Sequence, residues 1–258
     1  MGPSTLGMFG PWQLSALFAT GVVAGFVDSI AGGGGLLTLP VLLSLGLDPK
    51  KALGTNKLQA TCGSGSAAWH YGRAGTVAWR DCIRAFTFTL IGAGIGAWGV
   101  RQMDPSFLKR ALPVLLLGVA VYVLLKPDLG KVDLHPRLPR RTFDAVFGLA
   151  LGFYDGFFGP GTGMFWTMAF VLGCGFNLTK ATGYTKVVNF ASNLGSLTFF
   201  IFGDIYLGAG LAMGFGQILG AKLGSGIVIK RGTQFIRPIF ISVVLALTLK
   251  LAWDNFRK

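Results

Sequence analysis

The chain has 258 residues, 52% of them hydrophobic and only 13% charged, where soluble domains carry about 25% charge. Its mean hydropathy is +0.61. Those values exclude an ordinary water-soluble domain and describe a polytopic membrane protein, in which apolar spans, 22 phenylalanines and 40 glycines are at home. The net charge of +13 does not mark a nucleic-acid binder. The basic residues lie between apolar runs, as Arg73, Arg80 and Arg84, or along 126–141, and no basic-aromatic face accompanies them. That is how Lys and Arg set topology at the inner face of a membrane.

A helix needs about 20 residues to cross the hydrocarbon core. In chain order the candidate segments are 12–31, 36–47, 52–71, 82–101 and 108–125, then the polar stretch "KPDLGKVDLHPRLPRR" at 126–141, then 142–159, 163–176, 180–202, 205–229 and 234–253. The first segment lacks a basic region before it and reads as a span rather than a signal peptide. Segments 36–47 and 163–176 are short for full crossings and read as half-helices or re-entrant pieces. The expected fold is an all-α polytopic membrane protein. It has a first repeat at 1–125, a basic and cytoplasmic linker at 126–141, and a second repeat at 142–258.

The repeat is visible in the residues. Gly21, Gly25, Asp28 and Gly32 have the spacing of Gly148, Gly152, Asp155 and Gly159, and "ALGTNK" (52–57) matches "ATGYTK" (181–186), setting Lys57 opposite Lys186. "IGAGIGAWGV" (91–100) matches "LGAKLGSGIV" (219–228). An odd number of spans in each repeat inverts the second copy. Re-entrant short segments would instead make the copies parallel, and transporters use both kinds. The basic link after the third segment has an uncharged counterpart, as far as Lys and Arg go, in "FGDIYLG" at 202–208, which fits opposite sides of the membrane.

Four glycines, Gly32 to Gly35, interrupt the first half, and "GPGTG" at 159–163 interrupts the second. Discontinuous helices at matching places in two halves point to a transport site. The helix restarting after each break presents N–H groups and a dipole that favour an anion. Close helix packing through small residues is the alternative use. Lys57 heads a polar stripe with Thr61 and Ser64, and Lys186 heads one with Asn189, Asn193 and Ser196. Ionisable groups in apolar segments face a cavity or a partner, or else snorkel to the interface. Asp28 and Asp155 serve as proton acceptors, as ion-pair partners of the lysines, or as caps near the breaks. Lys222 has no basic counterpart, since it falls opposite Gly94.

Three cysteines and two histidines have no metal-ligand spacing, and no phosphate-binding loop or nucleophile–base pair is visible. The expectation is therefore no metal, no cofactor and no enzyme. The expected partners are a small anion and the bilayer, without nucleic acid. A homo-oligomer is compatible with the sequence.

The paired motifs "GFVDSIAGGGGLLTLP" and "GFYDGFFGPGTGMF", with "ALGTNKLQATCGS" and "ATGYTKVVNFASNLGSL", resemble the TauE/SafE family of sulfite-exporter-like permeases from about residue 15 to 250. The resemblance implies a plasma-membrane secondary carrier, an exporter of sulfite or organosulfonates coupled to an ion gradient. By position it carries over Gly32, Gly33, Gly34, Gly35, Gly159, Gly161 and Gly163, together with Asn56, Lys57, Gln59, Thr185, Lys186, Asn189 and Asn193.

Overall fold

A computed structural model describes residues 9–104, 106–107 and 135–232. Segments 108–125 and 234–253, and the linker up to residue 134, lie outside the described residues. Within them the chain forms eight helices: α1 Pro11–Ala31, α2 Gly34–Ser44, α3 Pro49–Arg73, α4 Trp79–Arg101, α5 Arg140–Phe157, α6 Thr162–Cys174, α7 Leu178–Phe200 and α8 Leu207–Arg231. No strand occurs among the described residues. Every apolar segment expected there is a helix, with ends displaced by a few residues. Helices α1, α4 and α8 are long and apolar enough to cross a bilayer on length and composition alone. Helices α3, α5 and α7 are of similar length but carry the buried Lys, Asp and Asn residues that lower their hydropathy.

Local chemistry starts the helices. Asp48 caps α3 by accepting from Lys50 N, with Pro49 in the first turn. Asn177 caps α7 in the same way, accepting from Lys180 N. Helices α2 and α6 each begin behind a left-handed glycine, Gly33 (φ 88°) and Gly161 (φ 83°). Only glycine adopts that conformation without cost. Pro40 lies inside α2 without ending it.

The long helices pack in a reciprocal set. Helices α3 and α7 meet at the centre. Helix α8 lies between α3 and α1, and α4 between α7 and α5; α2 bridges α1 and α3, while α6 bridges α5 and α7. Glycines make the closest crossings. A Cβ on Gly25 would stand 2.5 Å from Gln217 O, and one on Gly152 would stand 2.5 Å from Thr89 O. The sequence pairs Gly25 with Gly152, and each holds the crossing of its own helix, on α8 and α4 respectively. The packing use of glycine therefore applies to Gly21, Gly25, Gly148 and Gly152, which all abut the neighbouring helix.

Two seams mark the ends of the bundle. At one, the start of α3, the end of α4 and the start of α8 meet: Lys50 Nζ donates to Arg101 O at 2.8 Å, and Arg101 pairs with Asp204 at 2.7 Å. The N-terminus of α1 joins this end through Phe9 and Tyr206. At the other end, the starts of α4, α5 and α7 meet. Arg84 and Arg140 both pair with the buried Asp144, the Arg140 guanidinium lies over Phe170, Phe176 and Tyr184, and Ala78 N reaches Tyr184 Oη. Corresponding helices of the two halves thus start at opposite ends. One apolar cluster lies toward each end, around Leu53, Phe200 and Met213 and around Tyr71, Phe143 and Trp166. The outer faces of α4 and α8 expose Ile91, Ile95, Trp98, Leu211 and Phe215, the surface that lipid requires.

Overpacking a tight crossing costs about 1–3 kcal/mol. Gly25→Val and Gly152→Val should each lower the thermal midpoint in detergent by roughly 3–10 °C. Gly226→Ala should leave it equal or higher, because a Cβ there meets nothing within 4 Å. Equal melts for all three variants would contradict this packing.

Candidate functional site

The two glycine breaks meet in the middle of the bundle. A Cβ on Gly32 would lie 2.7 Å from Gly163 C, and one on Gly163 would lie 2.9 Å from Asn189 Nδ2. Gly32, Gly33, Gly159 and Gly161 all have positive φ, between 79° and 92°. Around this junction lies a cavity of about 30 Å³ walled by Asp28, Gly33, Gly34, Gly35 and Asn56 of the first half and by Asp155, Gly159, Gly161, Thr162, Gly163, Asn189 and Asn193 of the second, with Ala60 and Gln217 closing it. Nearly every wall atom set is polar side chain or bare backbone. The volume matches about one water molecule.

Both lysines are buried, Lys57 at 1% and Lys186 at 0% exposure, so neither snorkels to an interface. Each pairs with the aspartate of the other half. Lys57 Nζ lies 2.6 Å from Asp155 Oδ1 and donates to Asp155 O as well. Lys186 Nζ lies 3.0 Å from Asp28 Oδ2. Of the roles open to Asp28 and Asp155, ion pairing is the one the geometry displays, and Asp28 is also a cap: Gly34 N donates to its Oδ1 at 3.0 Å. The N-terminus of α2, expected to be free for an anion, is thus occupied by the protein's own carboxylate. The lysines stand behind the aspartates rather than in the cavity wall.

The remaining expected residues divide into two groups. Asn56, Asn189 and Asn193 reach the cavity. Gln59 and Thr185 lie behind it as fasteners. Asn56 Oδ1 accepts from Thr38 Oγ1 at 2.6 Å and from Gln59 Nε2 at 2.8 Å, locking α2 to α3. Thr167 and Thr185 share a hydrogen bond at 3.1 Å, locking α6 to α7. Thr61 and Ser64 bond back to main-chain carbonyls of α3, and Ser196 does so on α7. Lys222 is exposed on α8, away from the cavity.

Four participants escape sequence reasoning. Ser192 donates to Asp155 Oδ2, Thr38 and Thr167 form the two locks, and Gln217 packs its amide against Gly63 at the cavity. Gln217 leaves a signal, as the one polar side chain in the run 207–221. Ser192 and the threonines leave none, because small hydroxyl residues commonly bond their own helix. Among the described residues no group of three His, Cys or acidic residues could hold a metal ion.

The arrangement is a charge-neutral polar core enclosed by apolar helices, with two interrupted helices pointing into it. Charged groups at such a depth mark ion and substrate pathways. The profile of the family described as "Sulfite exporter TauE/SafE" matches residues 17–251. The chain is 43% identical over 253 residues to "Probable membrane transporter protein YfcA" of Escherichia coli (strain K12), covering 98% of this chain and 94% of that protein. It is also 43% identical over 242 residues to "Probable membrane transporter protein ORF9" of Sinorhizobium sp, covering 93% of each. A "Probable membrane transporter protein" of Haemophilus influenzae is 43% identical over 243 residues, covering 94% of this chain and 95% of that protein. No solved structure matches. With two broken helices, a buried polar core and relatives matched along nearly their full length, the chain belongs to the TauE/SafE family of membrane transporters.

Proposed function

We propose that the protein is a secondary carrier that exports small sulfur-containing anions, such as sulfite or organosulfonates, across the plasma membrane by alternating access. The observation that carries this reading is the single cavity at which both glycine breaks and both crossed Lys–Asp pairs converge. Binding at the junction of interrupted helices is the usual design of secondary carriers. The family's description as a sulfite exporter points to a sulfur anion, and the ammonium groups with the N-termini of α2 and α6 supply the matching electrostatics. The cavity of about 30 Å³ corresponds to a closed state, and substrate enters when the halves rock apart.

We read the two halves as inverted repeats, 1–125 and 142–258, because corresponding helices start at opposite ends of the bundle. The end bearing Arg73, Arg80, Arg84, Arg140, Arg141, Lys230 and Arg231 is the cytoplasmic one, by the excess of basic residues. Transport is coupled to the proton gradient, with Asp28 and Asp155 as the groups able to take up a proton in the core. A passive anion pore is the second reading, favoured only by the continuous polar lining of the cavity.

Purified protein in liposomes should take up labelled sulfite or a small sulfonate saturably, and unlabelled anion trapped inside should accelerate that uptake by counterflow. A pore gives flux without counterflow, and absence of flux for sulfite, thiosulfate, sulfate and a sulfonate alike would sink the substrate assignment. Breaking one buried pair is expected to cost about 3–5 kcal/mol. Lys57→Met should therefore lower the melting point in detergent by roughly 6–20 °C. Lys57→Met with Asp155→Leu should recover most of that loss and still fail to transport. A double variant that transports normally would remove the pair from the site.

A further inference from the structure

The two ion pairs are alike in sequence and unlike in structure. Asp155 is held on both oxygens by side chains, Lys57 on one and Ser192 on the other, and its side chain is 6% exposed. Asp28 has a looser setting. One oxygen takes Lys186 Nζ at 3.0 Å, the other takes the main-chain N–H of Gly34 at 3.0 Å, and the side chain is 19% exposed. The hydroxyl that steadies Asp155 has no equivalent here. The position on α3 opposite Ser192 is Gly63, whose bare face is filled by the Gln217 amide.

Asp28 thus occupies two donors that suit a small oxyanion, an ammonium and a helix N-terminal N–H. Resting on the carrier reading above, we propose that Asp28 is the coupling acid: it takes up one proton and yields Lys186 and the Gly34 N–H to the substrate anion, so that one proton travels with each monoanion. The charges balance. The empty site holds the Asp28 carboxylate and the Lys186 ammonium. The loaded site holds a neutral Asp28 carboxyl, the ammonium and the anion, and no bond other than O–H is made. Without the proton, two anions would share one ammonium, which like-charge repulsion opposes.

The groups around Asp28 are consistent with this assignment. Helix α7 presents Lys186, and α3 presents Tyr71, whose hydroxyl is committed to Ser29 O. Across the cavity, Asp155 is neutralised by Lys57. Helices α2, α6 and α8 contribute Gly34, Gly163 and the Gln217 amide, none of them titratable. Asn189 lines the same cavity with a buried side-chain oxygen that has no hydrogen-bond partner, an acceptor suited to the new carboxyl proton. A one-to-one stoichiometry also fixes when export occurs. Anion leaves only when its inside-to-outside ratio exceeds the opposing proton ratio, about tenfold for each pH unit by which the interior is more alkaline.

Methanesulfonate is the probe, since it remains a monoanion throughout the physiological pH range. Wild-type protein in liposomes should accumulate it about tenfold for each unit of imposed pH gradient, acid outside, with no response to a potassium diffusion potential. In Asp28→Asn the loaded site stays neutral and the empty site becomes a cation. Flux should then ignore the pH gradient and respond to the potential. Residual flux in Asp155→Asn should keep its pH response. A pH-responsive Asp28→Asn, or loss of coupling in Asp155→Asn alone, overturns the proposal. A second measurement needs no variant: in weakly buffered detergent with a pH indicator, wild-type protein should take up about one proton per methanesulfonate bound, and anion binding with no proton uptake overturns it too. If wild-type protein neither binds nor moves any anion of the panel, the carrier reading itself fails and this assignment falls with it.

Discussion

Two lysines buried among apolar helices, each neutralised by an aspartate from the opposite half, are the constraint on which the rest depends. An unpaired ammonium at this depth costs several kcal/mol, so Lys57 requires Asp155 and Lys186 requires Asp28. The pairing is crossed: it joins α3 to α5 and α7 to α1. Neither half can satisfy its own lysine, and the two halves are bound at their centre by charge as well as by packing. The polar core is neutral as a whole, which is what allows it to exist between two apolar clusters.

The glycines serve this constraint in two distinct ways. Gly25 and Gly152 bring α8 and α4 close enough for their main-chain oxygens to touch the neighbouring helix. Gly32 to Gly35 and Gly159 to Gly163 interrupt their helices, and the interruption turns backbone N–H groups inward at the level of the aspartates. An unbroken α1 would carry the chain past the cavity. A left-handed residue at Gly33 and at Gly161 restarts it as a short helix beside the ion pairs. Each short helix is fastened to a long one by a polar lock, Thr38 with Asn56 and Thr167 with Thr185, and by its own buried side chains, Leu39 and Leu42 on α2 and Trp166 and Phe170 on α6.

Most of the framework was legible before any coordinates. Hydrophobic runs and turn chemistry located all eight described helices, because membrane segments must satisfy their backbone internally and so declare themselves by length. The repeat exposed Lys57, Lys186, Asp28 and Asp155 together. What stayed hidden was who pairs with whom. Helical periodicity relates residues on one helix, whereas Lys57 and Asp155 are 98 positions apart and meet only because α3 lies against the second half. Capping of the break by Asp28 was one of three roles the sequence left open, because a free helix end and an occupied one have identical sequences nearby. Ser192 and Gly63 look equivalent in the repeat alignment, and their different chemistry matters only once an aspartate is found beside one of them.

That last difference separates a symmetric scaffold from an asymmetric site. If both aspartates were held as Asp155 is, by two side-chain donors, the core would be a rigid four-charge lattice with no vacancy to offer an anion. If both were held as Asp28 is, two ammonium groups would be released together, and the site would favour a divalent anion. On the proposed coupling, one fixed pair and one loose pair give a single exchangeable positive charge, which matches a monoanion. On the inverted-repeat reading, the crossed architecture follows from the two halves being copies. On the proposed coupling, the residue at one position of the repeat, serine in α7 and glycine in α3, decides which half holds its charge and which half exchanges it.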